Sequence, residues 1–206
     1  MGKRHIVLGT AAVALLALGG AWGWMAWSER SASLGDCTVG RVAGGAIGGP
    51  FELVDETGET VTSEEIITEP TLVYFGYTFC PDVCPLDAMR NGQAIDILTS
   101  RGVEARSVFI SVDPRRDTPE VVDAFTDNFH EEMIGLTGTP EQVDAAAKAY
   151  RVSYEVPADP EDDFYLVSHT VLTYLMLPER GFVDFFRRDA TPEQVADTVQ
   201  CVAEAV

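Results

Sequence analysis

"YFGYTFCPDVCPLDAMR", residues 74–90, joins an aromatic, apolar run to a helix-forming segment and sets Cys80 and Cys84 four positions apart at the junction. The run closes "TLVYFGY" (71–77), a stretch without charge of the kind found in a strand buried on both faces. "SVFISV" (107–112) and "VLTYLML" (171–177) read the same way. A sheet buried on both faces needs helices on both sides, and helical patterns fall between these strands.

Three of the helical patterns begin alike, at Thr118-Pro119-Glu120, Thr139-Pro140-Glu141 and Thr191-Pro192-Glu193. Threonine caps the free N–H groups, proline at the first helical position loses no hydrogen bond, and glutamate suits the positive helix end. Gln142 and Gln194 complete capping boxes in the second and third. "FELVDETGETVT" reads as a hairpin turning at Glu56, Thr57 and Gly58, and a short strand is expected near 133–136. Strands alternating with helices give an α/β domain with an open sheet. A cysteine pair where the first buried strand meets its helix points to a thioredoxin-like fold.

Pro81 is expected in the first helical turn, which places Cys80 at the strand's end and Cys84 inside the helix. Side chains four apart share a helix face, about 5 to 6 Å between Cβ atoms. That spacing admits a disulfide or two sulfurs on one metal ion. A helix N-terminus also lowers a thiol pKa and so favours the thiolate that exchange and coordination both need. A purely structural staple is the weaker reading, because so short a loop removes little chain entropy. Cys37 and Cys201 stand just before the domain and near its end, where a disulfide would tie the chain termini together in an oxidising compartment.

A metal would need a further ligand from far along the chain. His5 lies beside the apolar N-terminal stretch, and His130, in "FTDNFHEEM", is expected to cap a helix C-terminus. His169, in "LVSHTVLTYLML", stands at the mouth of a buried strand after the acidic loop "EVPADPEDDFY" (155–165). Two thiolates and one imidazole suit Cu(I); zinc with a carboxylate from Asp82 ranks lower.

Residues 6–27, "IVLGTAAVALLALGGAWGWMAW", carry no charge, and at 1.5 Å per residue 22 residues cover a hydrocarbon core of about 30 Å. Lys3 and Arg4 precede the stretch and Trp22, Trp24 and Trp27 close it, so a single-pass anchor is expected with the rest of the chain exported. A cleaved signal peptide would be shorter and followed directly by small residues, not by Glu29 and Arg30. The expected order is a cytoplasmic N-terminus (1–5), an anchor (6–27), a flexible Gly/Ser/Ala-rich tether (28–46) and an α/β domain (47–206). The chain's net charge is −19. Two of its 14 basic residues precede the anchor and all 33 acidic ones follow it, leaving −21 on the exported part and arguing against nucleic acid as a partner.

"IGGPFEL" (47–53), "YFGYTFCPDVCP" (74–85), "SVDPRRDTPE" (111–120), "GLTGT" (135–139) and "SHTVLTYL" (168–175) together resemble the Sco/SenC family, membrane-anchored copper proteins that help assemble cytochrome c oxidase. The resemblance implies a thioredoxin-like open sheet flanked by helices, with Cys80, Cys84 and His169 binding one copper ion as Cu(I) or Cu(II). It implies delivery to the binuclear copper centre of oxidase subunit II, with separate copper-donor and thiol-reductant proteins as further partners. It also implies residence in the cytoplasmic membrane with the domain on the periplasmic side. Asp113 and Asp117 match the family's acidic segment near the metal loop and are candidates to support the ligands, with helix capping as their plainer role. The alternative function is thiol-disulfide reduction by Cys80 and Cys84 without metal, Cys80 attacking and Cys84 resolving. A copper- or redox-responsive signalling module is a third reading.

Overall fold

The structure, a computed structural model, describes residues 34–38, 47–157 and 164–205. The expected anchor at 6–27 lies outside these residues. Among the described residues no helix is long and apolar enough to cross a membrane.

One helical turn, α1 (Leu34–Cys37), precedes the hairpin β1 (Glu52–Asp55) and β2 (Thr60–Thr62). The Asp55 carboxylate accepts from Thr57 N, Thr57 Oγ1 and Glu59 N and so shapes the hairpin's turn. A short helix α2 (Ser63–Ile66) leads to β3 (Thr71–Gly76), every residue of which is buried. Then follow α3 (Val83–Ser100), β4 (Arg106–Ser111), α4 (Pro119–Thr126), β5 (Ile134–Thr137) and α5 (Pro140–Ala149). Two short strands, β6 (Tyr154–Glu155) and β7 (Ser168–His169), pair with each other in a separate small sheet. The chain closes with β8 (Thr173–Leu177), β9 (Gly181–Phe186) and α6 (Pro192–Glu204).

The main sheet runs β2-β1-β5-β4-β3-β8-β9. β3, β4 and β5 are parallel, whereas β1, β8 and β9 each run antiparallel to a neighbour. This is a mixed α/β sheet of the thioredoxin-like kind. One apolar cluster joins Leu72, Leu175 and Leu177 of the sheet to Ala94, Ile95 and Leu98 of α3 and to Val195, Val199 and Val202 of α6. A larger one gathers Val73, Phe75, Val108 and Ile110 with Val143 and Ala146 of α5 and with Tyr150. β3 is therefore covered on both faces, which is why its sequence shows no polar alternation.

Thr139 and Thr191 form full capping boxes with Gln142 and Gln194. Thr118 does not cap: its hydroxyl donates to the Glu120 carboxylate, and Val121, three residues on, has no side-chain acceptor to reach back. α3 begins two residues later than Pro81 suggests; Asp82 is its N-cap residue and Pro85, not Pro81, sits in the first turn, where a missing N–H costs nothing. His130 lies beyond the end of α4 rather than capping it. Its Nδ1 accepts from Glu132 N and its Nε2 lies 3.4 Å from Asp96.

Within the segment expected to be a tether, Cys37 is bonded to Cys201 of α6 across 164 positions of sequence. The turn of α1 is thereby fixed to the last helix.

Candidate metal centre

β3 stops at Gly76, where the chain leaves the sheet for a turn closed by Cys80 N donating to Tyr77 O at 3.2 Å. Asp117 anchors this turn from the side, accepting from Thr78 N (2.9 Å), Thr78 Oγ1 (2.6 Å) and Ser111 Oγ (2.5 Å). The fully buried Asp117 therefore ties the cysteine turn to the end of β4 and does not cap α4.

Cys80 precedes α3 and Cys84 is its second residue, both buried and both free thiols. The Cys84 N–H, one of the helix's unpaired N-terminal donors, points to Cys80 Sγ at 3.4 Å. Cys80's sulfur thus fills the role that a Ser or Asp oxygen fills at most helix starts. The hydrogen bond from the Cys84 thiol holds Cys80 well below the ordinary thiol range against the opposing effect of burial, and His169 and the N–H groups of Asp82 and Cys84 add to it. The same bond and burial push Cys84 up. The two sulfurs are thus driven in opposite directions, Cys80 toward the thiolate and Cys84 toward the thiol.

His169 does not open β8 directly, as the sequence suggested. It belongs to β7, opposite Tyr154 of β6, and Thr170 N and Ser153 O close the pairing at 2.9 Å. Its Nε2 lies 3.3 Å from Cys84 Sγ, and its Nδ1 lies 3.0 Å from Thr170 O. A carbonyl oxygen only accepts, so Nδ1 donates a proton to it, which fixes the ring with Nε2 turned toward the sulfurs. The ligand atoms of Cys80, Cys84 and His169 all lie within 4.8 Å of one another. Asp82 is exposed and does not join this cluster.

Two soft sulfurs and an imidazole nitrogen with its other N–H already fastened make a donor set suited to a soft, low-coordinate cation. The rings of Tyr74 and Tyr77 stand edge-on to the His169 ring, with centroids 6.2 and 5.7 Å away. Their sequence signal was only that of core aromatics. The buried Tyr74 hydroxyl interacts with the Asp87 carboxylate and with the Cys84 thiol, and Asp87 pairs with Arg90 at 2.7 Å. The i, i+3 spacing of Asp87 and Arg90 suggests a surface pair; nothing in the sequence marks it as buried.

Fold and site together define a thioredoxin-like protein with a Cys-Cys-His cluster at the start of its first long helix. Residues 41–204 match the SCO1/SenC family model, and the chain belongs to that family. It is 57% identical to Protein SenC of Rhodobacter capsulatus over 164 residues, 80% of this chain and 74% of that protein. It is 43% identical to the mitochondrial protein SCO1 homolog 1 of Arabidopsis thaliana over 155 residues, 75% of this chain, and spans about half of that relative's length (46%). The crystal structure of Arabidopsis thaliana ScoI with copper bound superposes with a TM-score of 0.69 at 41% identity, covering 76% of this chain and 98% of that one.

Proposed function

We propose that this protein is a membrane-anchored copper carrier that binds one copper ion through Cys80, Cys84 and His169. It hands the ion to the binuclear copper centre of cytochrome c oxidase subunit II. The observation that carries the reading is the convergence of two sulfurs and an imidazole Nε2 within 4.8 Å, from segments 85 positions apart in sequence. Family membership and a relative named as copper-bound support it. A lowered pKa favours Cys80 as the sulfur that meets the ion first, and loading displaces the thiol proton held up at Cys84. Release needs an incoming ligand to replace one of the three. His169, at the rim and less buried than the thiols, is the ligand to be replaced first. The proposed setting is the cytoplasmic membrane with the domain in the periplasm, where a copper donor loads the site and a thiol reductant keeps Cys80 and Cys84 from closing into a disulfide.

The test is copper titration of the reduced full chain with absorption and EPR spectra. One equivalent bound by the wild type, lost in Cys80→Ser and Cys84→Ser, and altered in spectrum and retention in His169→Ala, is expected. A His169→Ala chain with unchanged spectrum and retention would remove His169 from the ligand set.

The split thiol pair also favours a second reading, thiol-disulfide reduction. Here Cys80 attacks a partner's disulfide, and Cys84 displaces the reduced partner as the Cys80–Cys84 disulfide forms. Turnover of a disulfide substrate by His169→Ala at the wild-type rate, in copper-free buffer, would favour it.

A further inference from the structure

The turn after β4, residues 113–117, touches both halves of the site. Asp117 holds the cysteine side through Thr78. Arg116 holds the histidine side. Its Nη1 donates to Tyr165 O at 3.0 Å, and its Nε donates to Asp113 Oδ2 at 2.6 Å. Asp113 Oδ1 in turn accepts from Tyr165 Oη at 2.9 Å. The guanidinium carbon stands 3.6 Å from the centroid of the Tyr165 ring and 4.7 Å from that of Phe79, the neighbour of Cys80. Tyr165, four residues before His169, is thus gripped at its carbonyl, its ring and its hydroxyl.

We propose that Arg116 is a positioning residue that clamps the histidine arm against the cysteine turn, and so sets how firmly His169 holds copper. The proposal rests on the copper reading above. The two halves of the site are fastened unequally. Cys80 and Cys84 have α3 and the Asp117–Thr78 bonds, which do not involve Arg116. His169 has the two-residue pairing of β6 with β7 and, on its other side, Tyr165 in the grip of Arg116. Only a planar fork can bond Asp113 and a carbonyl at once while lying on a ring, so lysine preserves the charge but not the clamp. Loosening it frees the imidazole and leaves the thiols in place.

The test uses the full chain, reduced, with Arg116→Lys and, as an independent variant that keeps the Arg116–Asp113 pair, Tyr165→Leu. Copper retention is measured against a competing chelator, alongside the nitrogen hyperfine coupling in the Cu(II) EPR spectrum and the reduction potential of the Cys80–Cys84 pair. Each variant is expected to weaken retention about 10-fold and diminish the nitrogen coupling, with the dithiol potential unchanged. In a His169→Ala background the same substitutions are expected to change retention less than about 2-fold, because the clamp then has no ligand to hold. Wild-type retention in both variants, or an equal loss with and without His169, would overturn the proposal. Unchanged retention in His169→Ala alone would overturn the ligand assignment, and the clamp with it.

Discussion

A Cβ placed on Gly76 would stand 2.9 Å from the Phe109 ring, 2.9 Å from the Tyr74 ring and 3.0 Å from Cys84 Sγ. All three neighbours are buried, so none can swing into solvent to make room. The glycine in "YFGY" is therefore the space into which the second cysteine's sulfur fits. Gly76→Ala is expected to cost about 1 to 3 kcal/mol in urea denaturation and to weaken copper retention by displacing Cys84. At this scale the sequence was partly legible. The spacing of Cys80 and Cys84 and the isolation of His169 identify the soft ligands, because few side chains offer such donors. Tyr74, Asp87 and Arg116 were not legible, since their roles depend on which side chains face them across the fold. For Arg116 a signal exists, one of two arginines between two acids in "DPRRD" within a family motif, but it does not name Tyr165.

The helix starts separate into those that use their threonine and one that does not. Thr139 and Thr191 accept from the N–H three residues on, whereas Thr118 gives its hydroxyl to Glu120. Thr191→Ala should therefore lower stability by about 1 kcal/mol, and Thr118→Ala by much less, measured by thermal or urea unfolding. The three Thr-Pro-Glu signals look alike because the deciding residue is the one after them: Gln in two cases, Val in the third. The hairpin carries a pH-dependent element. Glu56, at its turn, accepts from Gly135 N and Thr126 Oγ1, and burial, with Asp123 and Asp127 nearby, raises its pKa. A raised carboxylate favours folding fully below its unfolded value and loses that contribution as pH rises through its folded one. Glu56→Gln keeps an acceptor for both bonds and has no proton to lose. Its unfolding temperature should exceed the wild type's near neutrality, and that gap should close on acidification through the window between the two pKa values.

Across the whole molecule, the order of buried strands and capped helices was legible in the sequence, because a strand covered on both faces shows an unbroken apolar run. The small β6–β7 sheet is not, since two-residue strands leave no periodic pattern, so the sequence sets His169 at the mouth of β8 rather than in a strand of its own. The disulfide between Cys37 and Cys201 spans 164 positions. In a chain-entropy account, its loss in Cys201→Ser should lower stability by up to about 5 kcal/mol in urea unfolding, with a larger m-value because the unlinked denatured chain is more open. The substitution lies far from the ligands in sequence, so the variant should still bind one copper ion.

That bond also decides where a mechanical load enters the domain. A pull on the chain ahead of Cys37 is handed by a covalent link to α6 before the chain reaches Ile47, and α6 passes it to α3 along their shared apolar seam. A load applied there would reach the domain through its last helix as well as through its first strand. A tug that would otherwise peel β1 from β5 at the edge of the fold must first shear two packed helices past each other.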